Sequence, residues 1–180
     1  MKIRRTIAAV LAVCLVGGAL QGTTVPVRVY AADTSAVQDD YTTVTDGDIE
    51  YCVYSDHAAV HKCSNQAEGD INIKASVDGQ PVTEMMSNGF YCCSKLTSIT
   101  LPDTLTTIGY GAFTGCNGLT SFTVPSGVKE LGADAFSSCS NIVSIELPDT
   151  LEKINTRIFA YCSALKSVTF PEKITSIFAI

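Results

Sequence analysis

Apolar positions along this chain recur every 23 residues, and that period predicts the fold before any single residue does. Phe90, Phe113, Phe136 and Phe159 keep the step, as do Cys93, Cys116, Cys139 and Cys162. Leu96, Leu119, Ile142 and Leu165 form a further column, and Ile99, Phe122, Ile145 and Val168 the next. Leu101, Val124, Leu147 and Phe170 follow, then Leu105, Val128, Leu151 and Ile174, then Ile108, Leu131, Ile154 and Ile177. Two columns are not aliphatic: Ser98, Ser121, Ser144 and Ser167, and Pro102, Pro125, Pro148 and Pro171. A degenerate earlier copy occupies residues 71–89, with Ile71 and Ile73 in the strand positions and Val82 and Met85 in the second pair. It carries an insertion around Asp78-Gly79, a turn pair.

Within a unit, the alternation of Ile99 and Leu101 predicts a short strand with one face inward. Pro102, lacking an N–H, ends it. Leu105 and Ile108 line a second short segment, Gly109, Gly111 and Gly132 let the chain turn, and residues 112–116 read as one helical turn. A lone unit buries too little apolar surface to offset the entropy of ordering its backbone. Units must therefore stack, each covering its neighbours, and the array's ends need covers. The alternating Tyr51, Val53 and Val60, with Ser55-Asp56-His57 as a turn, predict an N-terminal β-hairpin cap over residues 48–68. Residues 32–47, rich in Asp, Thr and Ser, read as a flexible lead-in. At the other end Ile177-Phe178-Ala179-Ile180 is wholly apolar. Either it folds back as a lid or the array is a fragment of a longer one, and the fragment is the expectation here.

The first 31 residues have the layout of an export signal. Lys2, Arg4 and Arg5 precede an uncharged apolar stretch over residues 6–20, and Val29-Tyr30-Ala31 supplies a cleavage site after Ala31. The stretch is shorter than the roughly 20 residues of a membrane span. Cys14 follows a near-lipobox, Leu11-Ala12-Val13, but Val13 is bulky for that position and Cys14 falls inside the apolar core. Removal of residues 1–31 leaves 8 basic and 18 acidic residues, a formal charge of −10. Such a surface repels phosphate backbones, so nucleic acid is a poor partner. No second apolar segment follows, so no membrane span is expected after cleavage.

The units LTSITLPDTLTTIGYGAFTGC, LTSFTVPSGVKELGADAFSSC and IVSIELPDTLEKINTRIFAYC closely resemble the BspA-like leucine-rich repeats, and GDINIKASVDGQPVTEM resembles that family's entry segment. The resemblance runs over residues 69–177 and its motifs are specific. It implies a leucine-rich repeat solenoid, a right-handed β/α superhelix of short parallel strands and short helical turns with a parallel sheet on one face. It also implies a secreted or surface-displayed bacterial protein, some of whose relatives bind host proteins such as fibronectin and fibrinogen. The partner of this chain is expected to be an extracellular protein or a glycan. The short array and the ragged C-terminus depart from the family pattern and weaken a carried-over adhesion role.

No catalytic, cofactor or metal-binding residues are assigned. There is no Gly-x-Ser-x-Gly elbow, phosphate-binding loop or metalloprotease helix, and the acidic residues are spread singly. An exported hydrolase would have to rest on His57 and His61, both in the hairpin. The column of Cys93, Cys116, Cys139 and Cys162 offers one thiol per unit rather than the tight pairs zinc prefers. Adjacent strands lie about 4.8 Å apart, which a disulfide tolerates, but stacked buried thiols acting as small hydrophobes are the plainer reading. Cys52 and Cys63 flank the hairpin and are candidates for a disulfide in an exported protein. With His57 and His61 they also make a conceivable zinc set, against which the alternation of strand side chains speaks.

In the strands, the positions between inward residues point out: Thr97, Ser98 and Thr100, then Thr120, Ser121 and Thr123. Val143, Ser144 and Glu146 continue the face, and Lys166, Ser167 and Thr169 complete it. This hydroxyl-rich face is the candidate binding surface. It lacks the Trp, Tyr and Arg that anchor tight interfaces, and four rungs span only ~20 Å, so one copy binds weakly. A non-catalytic interaction module is the leading reading, and a structural spacer is the alternative. If the leader reading is right, N-terminal sequencing of the exported protein will begin Ala32-Asp33-Thr34; retention of Cys14 in the mature chain would refute it.

Overall fold

The computed structural model describes residues 40–151, 153–174 and 176–177. The expected leader, its cleavage site and the residues after Ile177 lie outside the described residues. The chain begins with β1 (Thr42–Asp46), β2 (Ile49–Val53) and β3 (Ala58–Cys63), each antiparallel to the one before. The expected hairpin is thus three-stranded. Part of the expected lead-in, residues 42–46, is a strand with Val44 opposite Tyr51. Its Thr and Val content suits an edge strand, which a reading based on few large apolar residues undervalues.

After β3 come β4 (Glu68–Asn72), the two-residue β5 (Ser76–Val77) and β6 (Gln80–Met85). Pairing turns parallel at this point, for β3 lies beside β6 with Val60 opposite Met85. The cap therefore extends the solenoid's own sheet. The repeats then supply β7 (Lys95–Thr100), β8 (Thr107–Ile108), β9 (Ser121–Thr123) and β10 (Glu130–Leu131). They continue with β11 (Ser144–Glu146), β12 (Lys153–Ile154), β13 (Ser167–Thr169) and β14 (Ser176–Ile177). One sheet runs β1-β2-β3-β6-β8-β10, and β12 pairs with β14. On the other side β4 pairs with β7, and β9, β11 and β13 form a three-stranded parallel sheet. Ile71 stands opposite Ile99, so the degenerate first copy is in register with the regular ones. Each proline carbonyl closes the turn after its strand: the N–H of Leu105, Val128 and Leu151 donates to the oxygen of Pro102, Pro125 and Pro148 at 3.1 Å in each case.

Residues 112–116 do not form the expected helical turn, and no helix occurs among the described residues. Each rung instead carries two residues with left-handed backbone four positions apart. They are Asn88 and Cys92, Gly111 and Gly115, Asp134 and Ser138, then Arg157 and Tyr161. These positions turn intervening N–H groups out of the local chain and onto the next rung. Phe90 N–H donates to Ala112 O at 2.7 Å, Phe113 to Ala135 at 2.8 Å and Phe136 to Ile158 at 3.0 Å. An α-helix would keep those donors for its own carbonyls and forfeit the bond between rungs. Left-handed backbone at non-glycine residues costs on the order of 1 kcal/mol each, and the repeated inter-rung bonds over-determine it.

The core lies between the two sheets and this turn side. Phe90, Phe113 and Phe136 stack with ring centroids 5.4 Å apart at each step, and Phe159 extends the column at 6.3 Å. Phe122, from the opposite strand, packs obliquely on Phe113 and Phe136 at 4.8 and 4.6 Å. Close approach of rungs also selects glycine at one turn: a Cβ on Gly132 would sit 2.5 Å from the Gly109 carbonyl carbon and the Tyr110 nitrogen. Phe136→Ala is expected to cost about 3–5 kcal/mol in urea unfolding. Phe159→Ala should cost less, because its ring is stacked on one described side only; equal losses would refute the column as a cooperative core.

Candidate functional site

The face proposed from sequence exists as a surface. Thr97, Ser98 and Thr100 of β7 are exposed, as are Thr120, Ser121, Thr123, Glu146, Lys166, Ser167 and Thr169, while Ser144 is half-buried. Parallel pairing sets these residues in ladders along the array. Ser144 stands opposite both Ser121 and Ser167, and Glu146 opposite both Thr123 and Thr169. Backbone bonds from Val143 N–H to Thr120 O (2.8 Å) and from Lys166 N–H to Val143 O (2.9 Å) keep the column of Thr120, Val143 and Lys166 in step. The Thr123 hydroxyl donates to a Glu146 carboxylate oxygen at 3.5 Å.

At the N-terminal end of this face the hydroxyls are already committed. Thr97 and Ser98 both donate to one Asp70 carboxylate oxygen, at 2.8 and 2.7 Å. The Ser98 bond, with that of Thr97, holds the Asp70 carboxyl below its ordinary 3.8. Asp70 was missed from sequence although it precedes Ile71 as Ser98 precedes Ile99. The first copy had been aligned only by its apolar residues.

Further along, Thr123, Glu146 and Thr169 open onto a depression of about 600 Å³ whose rim adds Asp103, Asp149, Pro125 and Pro148. Asp103 and Asp149 each follow the column proline, and Glu172 holds the same place in the next rung. The 23-residue register aligns these three acids, with Ser126 at the fourth position, whereas a count of singly spread charges does not reveal them. Thr150 does not offer its hydroxyl to a ligand, since it donates to Val128 O at 2.6 Å.

One exposed aromatic, Phe170, directly follows Thr169 at the end of β13, and Tyr41 directly precedes β1. Tyr91, Tyr110 and Tyr161 are on the turn side, where Tyr161 is 82% exposed. There Arg157 pairs with Asp134 at 2.8 Å, and that hydrogen bond, with the Asp134 charge behind it, raises the Arg157 pKa. Sequence reading missed these because each tyrosine interrupts a column of small residues rather than forming one.

The cysteines are free among the described residues. The hairpin register places Cys52 opposite Ala59 and Cys63 opposite Ile49, so it does not bring those two thiols face to face as a disulfide requires. A one-residue shift at Glu50/Tyr51 contributes to that mismatch. The groups of the conceivable zinc set have separate partners: His57 Nδ1 is 2.7 Å from Asp56, and His61 Nδ1 is 2.7 Å from Glu50. The thiol column is buried, and it is also hydrogen-bonded. The S–H groups of Cys116, Cys139 and Cys162 donate to the carbonyls of Phe90, Phe113 and Phe136 at 3.1, 3.0 and 3.0 Å.

A family profile described as "BspA type Leucine rich repeat region (6 copies)" matches residues 83–179. Among solved structures, a leucine-rich repeat protein from Bacteroides capillosus is 27% identical, with a TM-score of 0.64 over 71% of this chain and 96% of its own. A leucine rich cell surface protein from Faecalibacterium prausnitzii is also 27% identical, with a TM-score of 0.57 over 75% of this chain. This chain spans only 44% of that protein's length. A Eubacterium ventriosum leucine-rich repeat protein, 21% identical with a TM-score of 0.56, shares the fold over 76% of this chain and 41% of its own. No curated protein matches.

The thiols set an alkaline limit on the fold. Burial pushes Cys139 from 9.0 to about 12 and Cys52 to about 11. A thiol held protonated when folded but free to ionise when unfolded contributes stability that is complete below pH 9 and lost as pH rises through the folded value. Stability to urea should therefore fall between pH 9 and about 12, with a shallower slope in Cys139→Ala. A wild-type slope unchanged in that variant would contradict the assignment.

Proposed function

We propose that this chain, which belongs to the BspA type leucine-rich repeat family, is a non-catalytic interaction module, secreted or displayed at a bacterial surface, whose sheet face binds a basic segment of an extracellular protein. The observation that carries this reading is the ladder of Thr123, Glu146 and Thr169 opening onto a depression rimmed by Asp103 and Asp149. Carboxylates spaced along a strand edge with hydroxyl donors between them match Lys and Arg side chains on an extended peptide, and the formal charge of −10 beyond residue 31 steers such a partner in. The display reading draws support from the leader-like residues 1–31 and from the similar Faecalibacterium cell surface protein.

A face about 20 Å long falls short of the roughly 800 Å² per partner of a stable interface. Affinity of a single copy is accordingly modest, and many copies at a surface would raise it by avidity. The spacer reading is favoured by one observation: Tyr91, Tyr110 and Tyr161, exposed tyrosines of the repeats, sit on the turn side, away from the hydroxyl face.

Purified protein is expected to bind immobilised Lys- and Arg-rich peptides saturably, with affinity falling as salt rises. Glu146→Lys together with Asp149→Lys should weaken binding about tenfold or more, whereas Tyr161→Ala should leave it unchanged. Binding that follows Tyr161 instead would move the site to the turn side. Absence of binding to basic peptides by folded protein would sink this reading; capture of neutral glycans in their place would keep the face and change the ligand, and no binding at all would leave the spacer.

A further inference from the structure

We propose that Cys63 and Cys93 form a disulfide that fastens the N-terminal cap to the first regular rung. Cys63 ends β3, the last strand of the cap, and Cys93 heads the thiol column of the repeats. Both S–H groups donate to the same acceptor, the carbonyl of Ser64, at 3.4 and 3.6 Å, so the two sulfurs converge on one oxygen. The backbones around them are tied together, since Cys63 N–H donates to Gly89 O at 2.6 Å and Cys93 N–H to Phe90 O at 3.2 Å.

Lower in the column the arrangement differs. Cys116, Cys139 and Cys162 each have a phenylalanine carbonyl of their own. Cys63 and Cys93 compete for one carbonyl, so the sulfur that gives up its hydrogen bond to Ser64 has the other thiol as its neighbour.

The step needs an oxidant that is itself a disulfide, either a small one such as oxidised glutathione or that of a thiol oxidoreductase. Cys63 is partly exposed and Cys93 fully buried, so the oxidant is met at Cys63. The Cys63 sulfur attacks it, expelling one thiol and leaving a mixed disulfide. The Cys93 thiolate then attacks the Cys63 sulfur and expels the second thiol. Two protons and two electrons leave the protein pair and are recovered in the two released thiols. The closed loop joins residues 30 apart, which restricts the unfolded chain and ties down the sheet edge that β3 shares with β6. The inference stands on this geometry and is independent of the proposed ligand.

The test is to incubate the whole purified protein with oxidised glutathione, block remaining thiols, digest without reduction and map linked peptides by mass spectrometry. The expected product joins Cys63 to Cys93, with a thermal midpoint raised by roughly 10 °C and restored by dithiothreitol. Cys92→Ser should keep both the link and the shift, and Cys63→Ser should lose both. Linkage of Cys63 to Cys52 or Cys92, or recovery of Cys63 and Cys93 as blocked thiols, overturns the proposal; the wild-type map decides even if a variant fails to fold.

Discussion

The backbone hydrogen bond from one rung to the next is the constraint on which the structure depends. It occurs in the parallel pairs of β8 with β10, of β9 with β11 and of β11 with β13. It occurs again on the turn side, where Phe113 and Phe136 donate to Ala135 and Ile158. A single unit has none of these partners and cannot stand alone. Every other feature accommodates the need to keep successive rungs at strand spacing on all sides: glycine at 132, left-handed residues in pairs, and one ring stacked on another.

Side chains that repeat do so because each sees the same neighbour one rung away. The phenylalanine column and the thiol column are linked through that geometry, since each thiol donates to the carbonyl of a phenylalanine in the preceding rung. A thiol fits here because it is small, tolerates burial and adds a second hydrogen bond to a carbonyl that already accepts a backbone N–H. The cap joins the same scheme by adding β3 beside β6, so the edge a solenoid must protect is covered by its own sheet.

Because the repeat governs the interior, variation is left to the outside, and the surface chemistry is uneven in consequence. Asp70 consumes the hydroxyls at one end of the sheet face, while Glu146, Asp103 and Asp149 leave a negative, solvated depression further along. An isolated carboxylate on a sheet contributes little, but several at rung spacing act on the same extended partner. On the function proposed above, the acidic end of the face is the recognition surface, while the Asp70 end has its hydroxyls bonded within the protein.

The sequence by itself determined the solenoid, its register and the outward strand positions, because a 23-residue period admits only one alignment of columns and strand alternation then assigns each residue a side. Only the tertiary structure decided what period and alternation do not encode. It replaced the helical turn over residues 112–116 with paired left-handed residues, a choice made by hydrogen bonds to the next rung rather than by local propensity. It separated Cys52 from Cys63 through the register of β2 on β3, and brought the thiols of Cys63 and Cys93, 30 residues apart in the chain, onto one carbonyl. It gathered Glu146 with Asp103 and Asp149 around one depression, since carboxylates on different rungs become neighbours only when the rungs stack.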